Sequence, residues 1–198
     1  DSVPRWRFFA ITHVGGLLLM VVYAYMWSVA GTGDTGSWEG LGAAMGPVGE
    51  AVAISLLFIG FGTKLGMVPF HAWMPDMYAR SPTHTTALLT TVCSSAAVLV
   101  LYKSVFVWIG VDGGVEAVSA VFCILSALTA LWGAMESMVQ IEPKRILAYS
   151  SMENMALATM CLSLGMLFSG MLGSLEALVV LAGLLHALNH GMFKSLMM

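Results

Sequence analysis

Charged residues are scarce in this sequence. Of its 198 residues, only 10% are Asp, Glu, Lys or Arg, whereas 59% are hydrophobic. A water-soluble globular domain carries roughly 25% charged residues. So few charges cannot cover a surface that faces water, which argues against a soluble helical domain. The net charge of −3 is also too small to indicate a nucleic-acid partner.

Cysteine is rare, and the common cofactor motifs are missing. Cys93, Cys123 and Cys161 stand far apart inside apolar runs, which excludes a disulfide framework and a paired-cysteine metal site. The sequence contains no GxGxxG, P-loop or HExxH motif. We therefore expect no cofactor, no bound metal and no catalytic site in this chain.

Long apolar runs are what the sequence has in abundance. A helix that crosses a bilayer needs about 20 predominantly apolar residues, and six runs meet that length. We predict an all-α integral membrane protein, with a Gly-rich loop over residues 31–47. The predicted spans are 8–29, 49–69, 84–110, 116–139, 146–168 and 175–198.

Both ends of the sequence look cut. The chain lacks an initiator Met, and its first apolar run has no small-residue cleavage site of a signal peptide. It stops at LNHGMFKSLMM, inside an apolar helix that has no capping residue. We expect a single membrane domain, 1–198, that is a fragment or a split part of a longer polytopic subunit.

Basic and acidic residues alternate between the predicted spans. By the positive-inside rule the N-terminus is cytoplasmic. We expect the inner (plasma) membrane of a prokaryote, with the mitochondrial inner membrane as the alternative. The basic connections contain Arg5, Arg7, Arg80, Lys144 and Arg145, and the acidic ones contain Asp34, Glu39, Glu50, Asp112, Glu116 and Glu176.

Lys64 lies within the second apolar run, shortly before Pro69. Because proline lacks the amide hydrogen that a helix interior needs, we predict a broken helix at Pro69. Irregular backbone at membrane depth lines a cavity or is buried in protein, so Lys64 is a candidate proton carrier. His71, in an expected loop beyond the break, would lead protons inward. The alternative is that the lysine side chain extends to the membrane surface.

Hydroxyl side chains recur every four residues in the third span, at Thr86, Thr90 and Ser94, with Thr91 and Ser95 beside them. This spacing stacks side chains on one face of a helix. One interpretation is a water-lined stripe on a proton path that includes Thr90, Ser94 and Ser95. The other, weighed equally, is hydroxyls that hydrogen-bond to carbonyls of their own helix.

The sixth span contains HALNHGMFK, which places His186, His190 and Lys194 at positions i, i+4 and i+8. All three side chains fall on one helical face. Three titratable groups in register inside a membrane favour a proton relay. A zinc site would need Cys or acidic ligands that this stretch lacks.

The remaining charged residues in or near the spans have structural interpretations. We expect Glu136 and Glu153, on either side of IEPKR, to pair with Lys144 or Arg145 or to cap a helix. Lys103 lies near the outer end of the third span, where its side chain can reach the membrane surface.

Three segments together resemble a known family. They are KLGMVPFHAWMPDMYARSPTHTTALL, PKRILAYSSMEN and HALNHGMFKSLMM. They are similar to motifs of the antiporter-like proton-channel subunits of respiratory complex I, of multisubunit Na⁺/H⁺ antiporters and of membrane-bound hydrogenases. The versions SSMEN and HALNH resemble the hydrogenase and formate hydrogenlyase type.

The resemblance implies a larger bundle of two inverted repeats, each with one broken helix, of which this chain supplies the middle. Lys64 would then be the lysine of the broken helix, and Lys194, with His186 and His190, part of a polar axis along the membrane. Many relatives carry a lysine where this chain has Ser95. The carboxylate that partners Lys64 would belong to an earlier helix outside the chain.

The function implied is that of a proton-translocating membrane subunit in a redox-driven pump, such as a membrane-bound hydrogenase or an NADH dehydrogenase-like complex. Its partners would be other membrane subunits, the lipid bilayer, and protons or Na⁺. Three alternatives stay open: a Na⁺/H⁺ antiporter subunit, a non-conducting structural subunit, and an independent secondary transporter of small solutes.

Overall fold

The computed structural model of the chain describes residues 3–111, 114–169 and 173–197. Every regular element in these ranges is helical, and six helices there are long and apolar enough to cross a membrane, as predicted. Asp112, assigned above to an acidic connection, and Met198, the predicted end of the sixth span, lie outside the described residues. The α-helices are α1 (Val3–Ala30), α2 (Leu41–Leu65), α3 (Met74–Arg80), α4 (Thr83–Leu88), α5 (Ser94–Tyr102), α6 (Glu116–Val139), α7 (Pro143–Phe168) and α8 (Gly173–Met197).

The second spanning helix begins earlier than the sequence predicts. α2 starts at Leu41, so residues 41–45 are already helical and the prediction of a loop there is wrong. Gly46 has φ 70° and ψ 167°, outside helical values, and Pro47 follows it. A proline inside a helix removes a hydrogen bond and kinks the chain. The glycine and proline that suggested a loop here therefore mark a kink within the helix.

The predicted break of this span is present, and it starts before Pro69. α2 ends at Leu65, and Gly66 adopts φ 72° and ψ 34°, the left-handed cap that glycine takes without strain. The Met67 amide closes the cap by donating to the Gly62 carbonyl at 2.9 Å. A 3₁₀ turn, Phe70–Trp73, then leads into α3. His71 lies in that turn, so the expectation of a loop beyond the break is wrong.

Groups freed at the break find partners on neighbouring elements. The Val68 amide donates to Thr129 Oγ1 on α6 at 3.2 Å. The Trp73 indole donates to the Thr63 carbonyl, near the end of α2, at 2.9 Å. An unpaired backbone group inside a membrane is costly, and Ser or Thr side chains of adjacent helices commonly remove that cost. These bonds stabilise a non-helical segment at this depth.

The third spanning helix, Thr83–Ile109, is continuous but not regular. A π-helical segment, Leu89–Cys93, joins α4 to α5, and a second one, Lys103–Ile109, follows α5. The first widens the helix where the hydroxyl stripe lies. Ser94 Oγ consequently donates to the carbonyl of Leu89, five residues earlier, at 3.0 Å. Such π segments are frequent at functional sites.

The helix packing places α7 in the middle of the bundle. α7 contacts α6 on one flank, α8 on the other, and α3 beyond the break, while α1 packs on α2. A small buried apolar cluster fixes α3 against α7. Its members are Trp73, Met74, Tyr78, Ala148 and Met152.

Arg145 joins the start of α7 to α3. Its guanidinium lies 2.9 Å from a carboxylate oxygen of Asp76 and 3.1 Å from one of Glu142. Glu136 instead accepts from Gln140 at 3.1 Å. Of the roles predicted for Glu136 and Glu153, which were pairing with Lys144 or Arg145 or capping a helix, the structure does not show pairing with Arg145, whose carboxylates are those of Asp76 and Glu142. α3 and the start of α7 had to be placed in space before Asp76 could be recognised as the partner.

The basic connections gather at one end of the bundle. Lys144 Nζ donates to the Ser81 carbonyl between α3 and α4 at 2.8 Å. The rings of Phe8 and Trp73, 5.3 Å apart, bring the N-terminal end of α1 to the same end. This is the arrangement that alternating loop charges predict.

Candidate ion path

Lys64 lies in the last turn of α2, just before the helix breaks. Its side chain is half-buried, and Nζ donates to the Thr12 carbonyl of α1 at 2.9 Å. Among the described residues, no carboxylate lies within ion-pair distance of Nζ. A carbonyl accepts the hydrogen bond without neutralising the charge, so the lysine keeps the ability to release a proton.

Lys64 lines a cavity of about 510 Å³. The cavity lies between α1, the end of α2, α3 and the third spanning helix. Most of its wall is apolar, and its polar groups are few. Those groups are Thr12, His13, Lys64, Tyr78 and Ser94. The space is large enough for several water molecules beside polar partners, as the interpretation of Lys64 as a proton carrier requires.

The hydroxyl stripe of the third spanning helix faces the protein interior. Thr86, Thr90 and Ser94 are almost fully buried. Each also hydrogen-bonds to a carbonyl at or near its own helix: Pro82, Thr86 and Leu89 respectively. The back-bonding interpretation therefore describes the geometry, while the role of Thr90 and Ser94 in a proton path stays a prediction.

Ser95 turns away from the cavity toward α8. Its Oγ donates to the Ala187 carbonyl at 3.2 Å. Gly191 lies close by, since a Cβ at that position would come within 3.0 Å of Ser95 Oγ. Ser95 thus lies at the contact between the third spanning helix and α8. In the proton path predicted from the sequence, this position falls between Lys64 and the three titratable residues of α8.

The three titratable residues of α8 share one face, as their spacing predicts. His190 and Lys194 are 0% and 1% exposed, while Asn189 and Met192 beside them are exposed. His190 interacts electrostatically with both His186 and Lys194. Within the described residues, neither ring nitrogen of His190 has a hydrogen-bond partner. A buried imidazole with both nitrogens unbonded is unusual in a purely structural role.

Lys194 is enclosed between α8 and α7. Its Nζ donates to the Leu147 carbonyl at 3.1 Å. Glu153 on α7 interacts with it electrostatically, although no described carboxylate lies within ion-pair distance. Lys194 and Lys64 therefore share one feature, an ammonium whose hydrogen-bond acceptor is the carbonyl of a neighbouring helix, although Lys194 is buried and Lys64 is half-buried.

His71 lies apart from this cavity, on the α6 side of the break. Its ring meets the edge of Trp132 at 6.1 Å between centroids. Glu136 acts on it electrostatically, and in the described chain its Nδ1 is buried without a hydrogen-bond partner. His71 and Lys64 thus flank the break on different sides, and the predicted role of His71 as a proton entrance stays a prediction.

Two residues that the sequence analysis did not single out lie next to these parts. Tyr78 lines the cavity, and its hydroxyl accepts a hydrogen bond from Thr90 Oγ1 at 2.8 Å. Ser151 Oγ donates to the Leu147 carbonyl at 2.7 Å, the same carbonyl that accepts from Lys194. Tyr78 lies between Asp76 and Arg80, so the sequence around it is typical of a polar loop. Ser151 follows another serine within an apolar span. Neither position shows a spacing that would single it out.

In the described residues these features define a multi-pass α-helical membrane protein with a broken spanning helix and two lysines among its helices, one half-buried and one buried. In the described part of the chain, no three His, Cys, Asp or Glu side chains gather as a metal site. The polar groups inside the described bundle include lysines, histidines, hydroxyls and the carboxylate of Glu50, and ionisable groups of this kind mark ion paths in membranes.

The chain belongs to the family described as NADH:quinone oxidoreductase/Mrp antiporter, transmembrane, whose model matches residues 6–197. It is 31% identical to hydrogenase-4 component B of Escherichia coli over 192 residues, which are 96% of this chain and 28% of that protein. It is 30% identical to formate hydrogenlyase subunit 3 of the same organism, over 96% of this chain and 30% of that protein. The chain thus spans less than a third of the length of these relatives.

A solved structure has the same fold. The Mrp complex from Dietzia sp. DQ12-45-1b contains a chain that superposes with a TM-score of 0.79 at 19% identity, covering 98% of this chain and 34% of that one. At this identity the likeness concerns the fold alone. The family model and the relatives confirm the family resemblance stated from the three sequence segments.

Proposed function

We propose that this chain is a single membrane domain of a longer antiporter-like subunit, and that it translocates protons in a redox-driven complex. The observation that carries the proposal is the position of Lys64, at a helix break and on the wall of a cavity shared with Ser94. A charge inside a membrane is costly to place there and normally belongs to an ion path. The names of the hydrogenase and formate hydrogenlyase relatives favour a complex of that type.

The proposed path has two parts. Lys64 exchanges protons with the cavity, and His190 and Lys194, assisted by His186, receive them between α7 and α8. Thr90, Ser94 and Ser95 lie between the two parts on the third spanning helix. His71 serves as an entrance from the side of the basic connections, which we place in the cytoplasm of a prokaryote together with the N-terminus.

The proposed driving force is electrostatic. A change in a neighbouring membrane subunit alters the charge of a carboxylate that faces Lys64 from outside this chain. The proton affinity of the lysine changes in response, because neighbouring charges govern how readily it is ionised. Redox chemistry belongs to other subunits of the complex, and this domain supplies the path.

The test is ion flux in proteoliposomes of the complete native complex, comparing Lys64→Met with the native protein at matched electron-transfer rates. We expect proton flux to fall by about 100-fold, the scale of losing one proton-transfer group, while electron transfer continues. Lys103→Met is the matched control. Lys103 is exposed in the third span, its Nζ 5.3 Å from the centre of the Trp108 ring, so its replacement should leave flux unchanged.

The same experiment decides between the alternatives. Flux that depends on sodium concentration and falls in Lys64→Met would assign the path to Na⁺/H⁺ exchange. Flux that persists in both lysine variants would make this chain a non-conducting structural part of the complex.

A further inference from the structure

The backbone amide of Val68 carries the further inference. In an uninterrupted α-helix this amide would donate to the carbonyl of Lys64, four residues earlier. In the structure it donates to Thr129 Oγ1 on α6, at 3.2 Å. A side chain of another spanning helix therefore takes the donor that would keep α2 wound through Lys64.

Pro69 does not account for this opening by itself. A proline lacks an amide hydrogen and clashes with the carbonyl four residues earlier, which here is that of Leu65. It also disfavours a helical conformation of the residue before it, but it supplies no acceptor for the amide of Val68. The proline thus opens the helix at Leu65, and Thr129 provides the acceptor that opens it at Lys64.

Another carbonyl of the same turn has also exchanged its donor. In a regular helix the Met67 amide would donate to the Thr63 carbonyl, but it donates to Gly62 at 2.9 Å. The Trp73 indole donates to the Thr63 carbonyl in its place, at 2.9 Å. α2 therefore ends in a turn whose carbonyls have lost their helical donors. Such carbonyls give a helix end its negative partial charge, which favours a cation such as Lys64 in the last turn.

Thr129 is oriented as a hydrogen-bond acceptor. Its own hydroxyl hydrogen is directed to the Leu125 carbonyl at 2.7 Å, so a lone pair of the oxygen remains for the Val68 amide. The residue is 0% exposed, on the side of α6 that faces the break. Its packing and its hydrogen bonds thus both fix where the amide of Val68 lies.

The residue before Val68 is held by the same region of the bundle. The sulfur of Met67 lies 3.9 Å from Thr159 Oγ1 on α7. Thr159 Oγ1 in turn lies 3.2 Å from the hydroxyl of Ser126 on α6. Ser126 is three residues before Thr129 and shares its side of the helix. The non-helical segment is therefore seated where α6 meets α7.

We propose that Thr129 is a positioning residue for the ion path, whose hydroxyl holds the broken helix open at Lys64 and so keeps the lysine on the wall of the cavity. The inference rests on the proposed proton translocation and assigns a part in it to α6. In the described part of the chain, α6 contributes no side chain to the cavity wall. Thr129 therefore acts through the backbone of the break and not by contact with the transferred proton.

The experiment compares two substitutions in the complete complex. Thr129→Val keeps the shape of the side chain and removes its hydroxyl, whereas Thr129→Ser keeps the hydroxyl. Deuterium exchange of the peptide that contains Val68 tests the hydrogen bond, and protons moved per electron in proteoliposomes test the positioning. In Thr129→Val we expect faster exchange and a ratio lower by about three- to tenfold, the scale that one buried hydrogen bond sets. Thr129→Ser should return both quantities to near their native values.

Ser119→Ala is the matched control. Ser119 is also 0% exposed on α6, and its hydroxyl donates to the Val115 carbonyl at 2.9 Å, at the start of that helix and away from the break. Removing this hydroxyl should change neither the exchange of the Val68 peptide nor the ratio of protons to electrons.

Lys64→Met, measured beside these variants, separates the two proposals. A native ratio in Thr129→Val with a lost ratio in Lys64→Met overturns the positioning role and keeps the ion path. A native ratio in Lys64→Met overturns the ion path, and the role of Thr129 in it falls as well.

Two further results would overturn the positioning role alone. One is a lowered ratio in Thr129→Val without faster exchange, because the hydrogen bond would then not be the cause. The other is a ratio that stays low in Thr129→Ser, because lost packing would then explain the effect of Thr129→Val. If Thr129→Val does not assemble, Thr129→Ala replaces it and the same outcomes apply.

Discussion

The surroundings of Lys64 and Lys194 differ in how much open space lies beside each lysine. Lys64 stands where a helix stops, is half-buried and lines a cavity of about 510 Å³. Lys194 stands in the unbroken helix α8 and is 1% exposed. Each donates to a carbonyl of a neighbouring helix. The comparison teaches that a helix break creates space around an internal charge, whereas packing of continuous helices removes it.

The largest expected contrast between the two positions is how readily a thiol reagent reaches a cysteine placed there. In a chain with its three cysteines replaced by alanine, we expect Lys64→Cys to react with a small water-soluble thiol reagent and Lys194→Cys to remain unmodified. The reason is that thiol reactivity requires access for the reagent and a favourable site for the thiolate. The measurement is the mass of the labelled chain over time, in the intact complex.

Cys93 supplies the positive control for this labelling. It is exposed and lines the same cavity as Lys64, so a chain that keeps Cys93 alone should also react. Equal labelling of the two lysine positions would remove the distinction between an open and a closed site.

An effect of intermediate size is expected from a substitution that disturbs only the helix contact near Lys64. A Cβ at Gly15 would overlap the side chain of Thr63, which is 1% exposed and cannot move outward. We expect Gly15→Ala to separate α1 from α2 and to lower the free energy of unfolding by about 1–3 kcal/mol. It should also reduce ion flux, because Thr12, the acceptor of Lys64, lies on the same helix.

Gly16→Ala is the control for that change. A Cβ at Gly16 would meet nothing within 4 Å, and alanine is favoured over glycine in a helix by roughly 0.5–1 kcal/mol. Thermal unfolding of the purified complex should therefore show a lower Tm for Gly15→Ala and an equal or higher Tm for Gly16→Ala. Equal losses would show that the contact between α1 and α2 is not tight at Gly15.

The smallest expected effect concerns the ion pair that ties α3 to α7. The side chains of Arg145 and Asp76 are 33% and 20% exposed, and pairs of this kind contribute about 0–1 kcal/mol. We expect Asp76→Asn to lower stability within that range and to leave the ion path intact. Thermal unfolding checks the first point and proton flux the second.

Glu142→Gln provides the comparison for Asp76→Asn. It removes the other carboxylate of Arg145, one that lies on the neighbouring turn and is 49% exposed, so its effect should be smaller still. A loss of several kcal/mol from Asp76→Asn alone would mean that this pair, and not the apolar cluster around Tyr78, holds α3 in place.

The sequence predicted most of the architecture, because membrane insertion depends on local properties. Apolar run length set the six spans, and Pro69 indicated the broken helix near its true place. The i, i+4 spacing placed His186, His190 and Lys194 on one face of α8. Local signals misled where a break and a loop look alike: Gly46 and Pro47 mark a kink inside a helix, and the residues after Pro69 are helical.

The sequence by itself thus determined the membrane class, the number of spans and the position of each internal charge along its helix. Only the tertiary structure decided which carbonyl each lysine contacts, that Arg145 pairs with Asp76, and that the Tyr78 hydroxyl meets Thr90. The physical reason is range. Hydropathy and helix periodicity act within a few turns, whereas a hydrogen bond between two helices depends on how both are rotated and packed, which no single segment encodes.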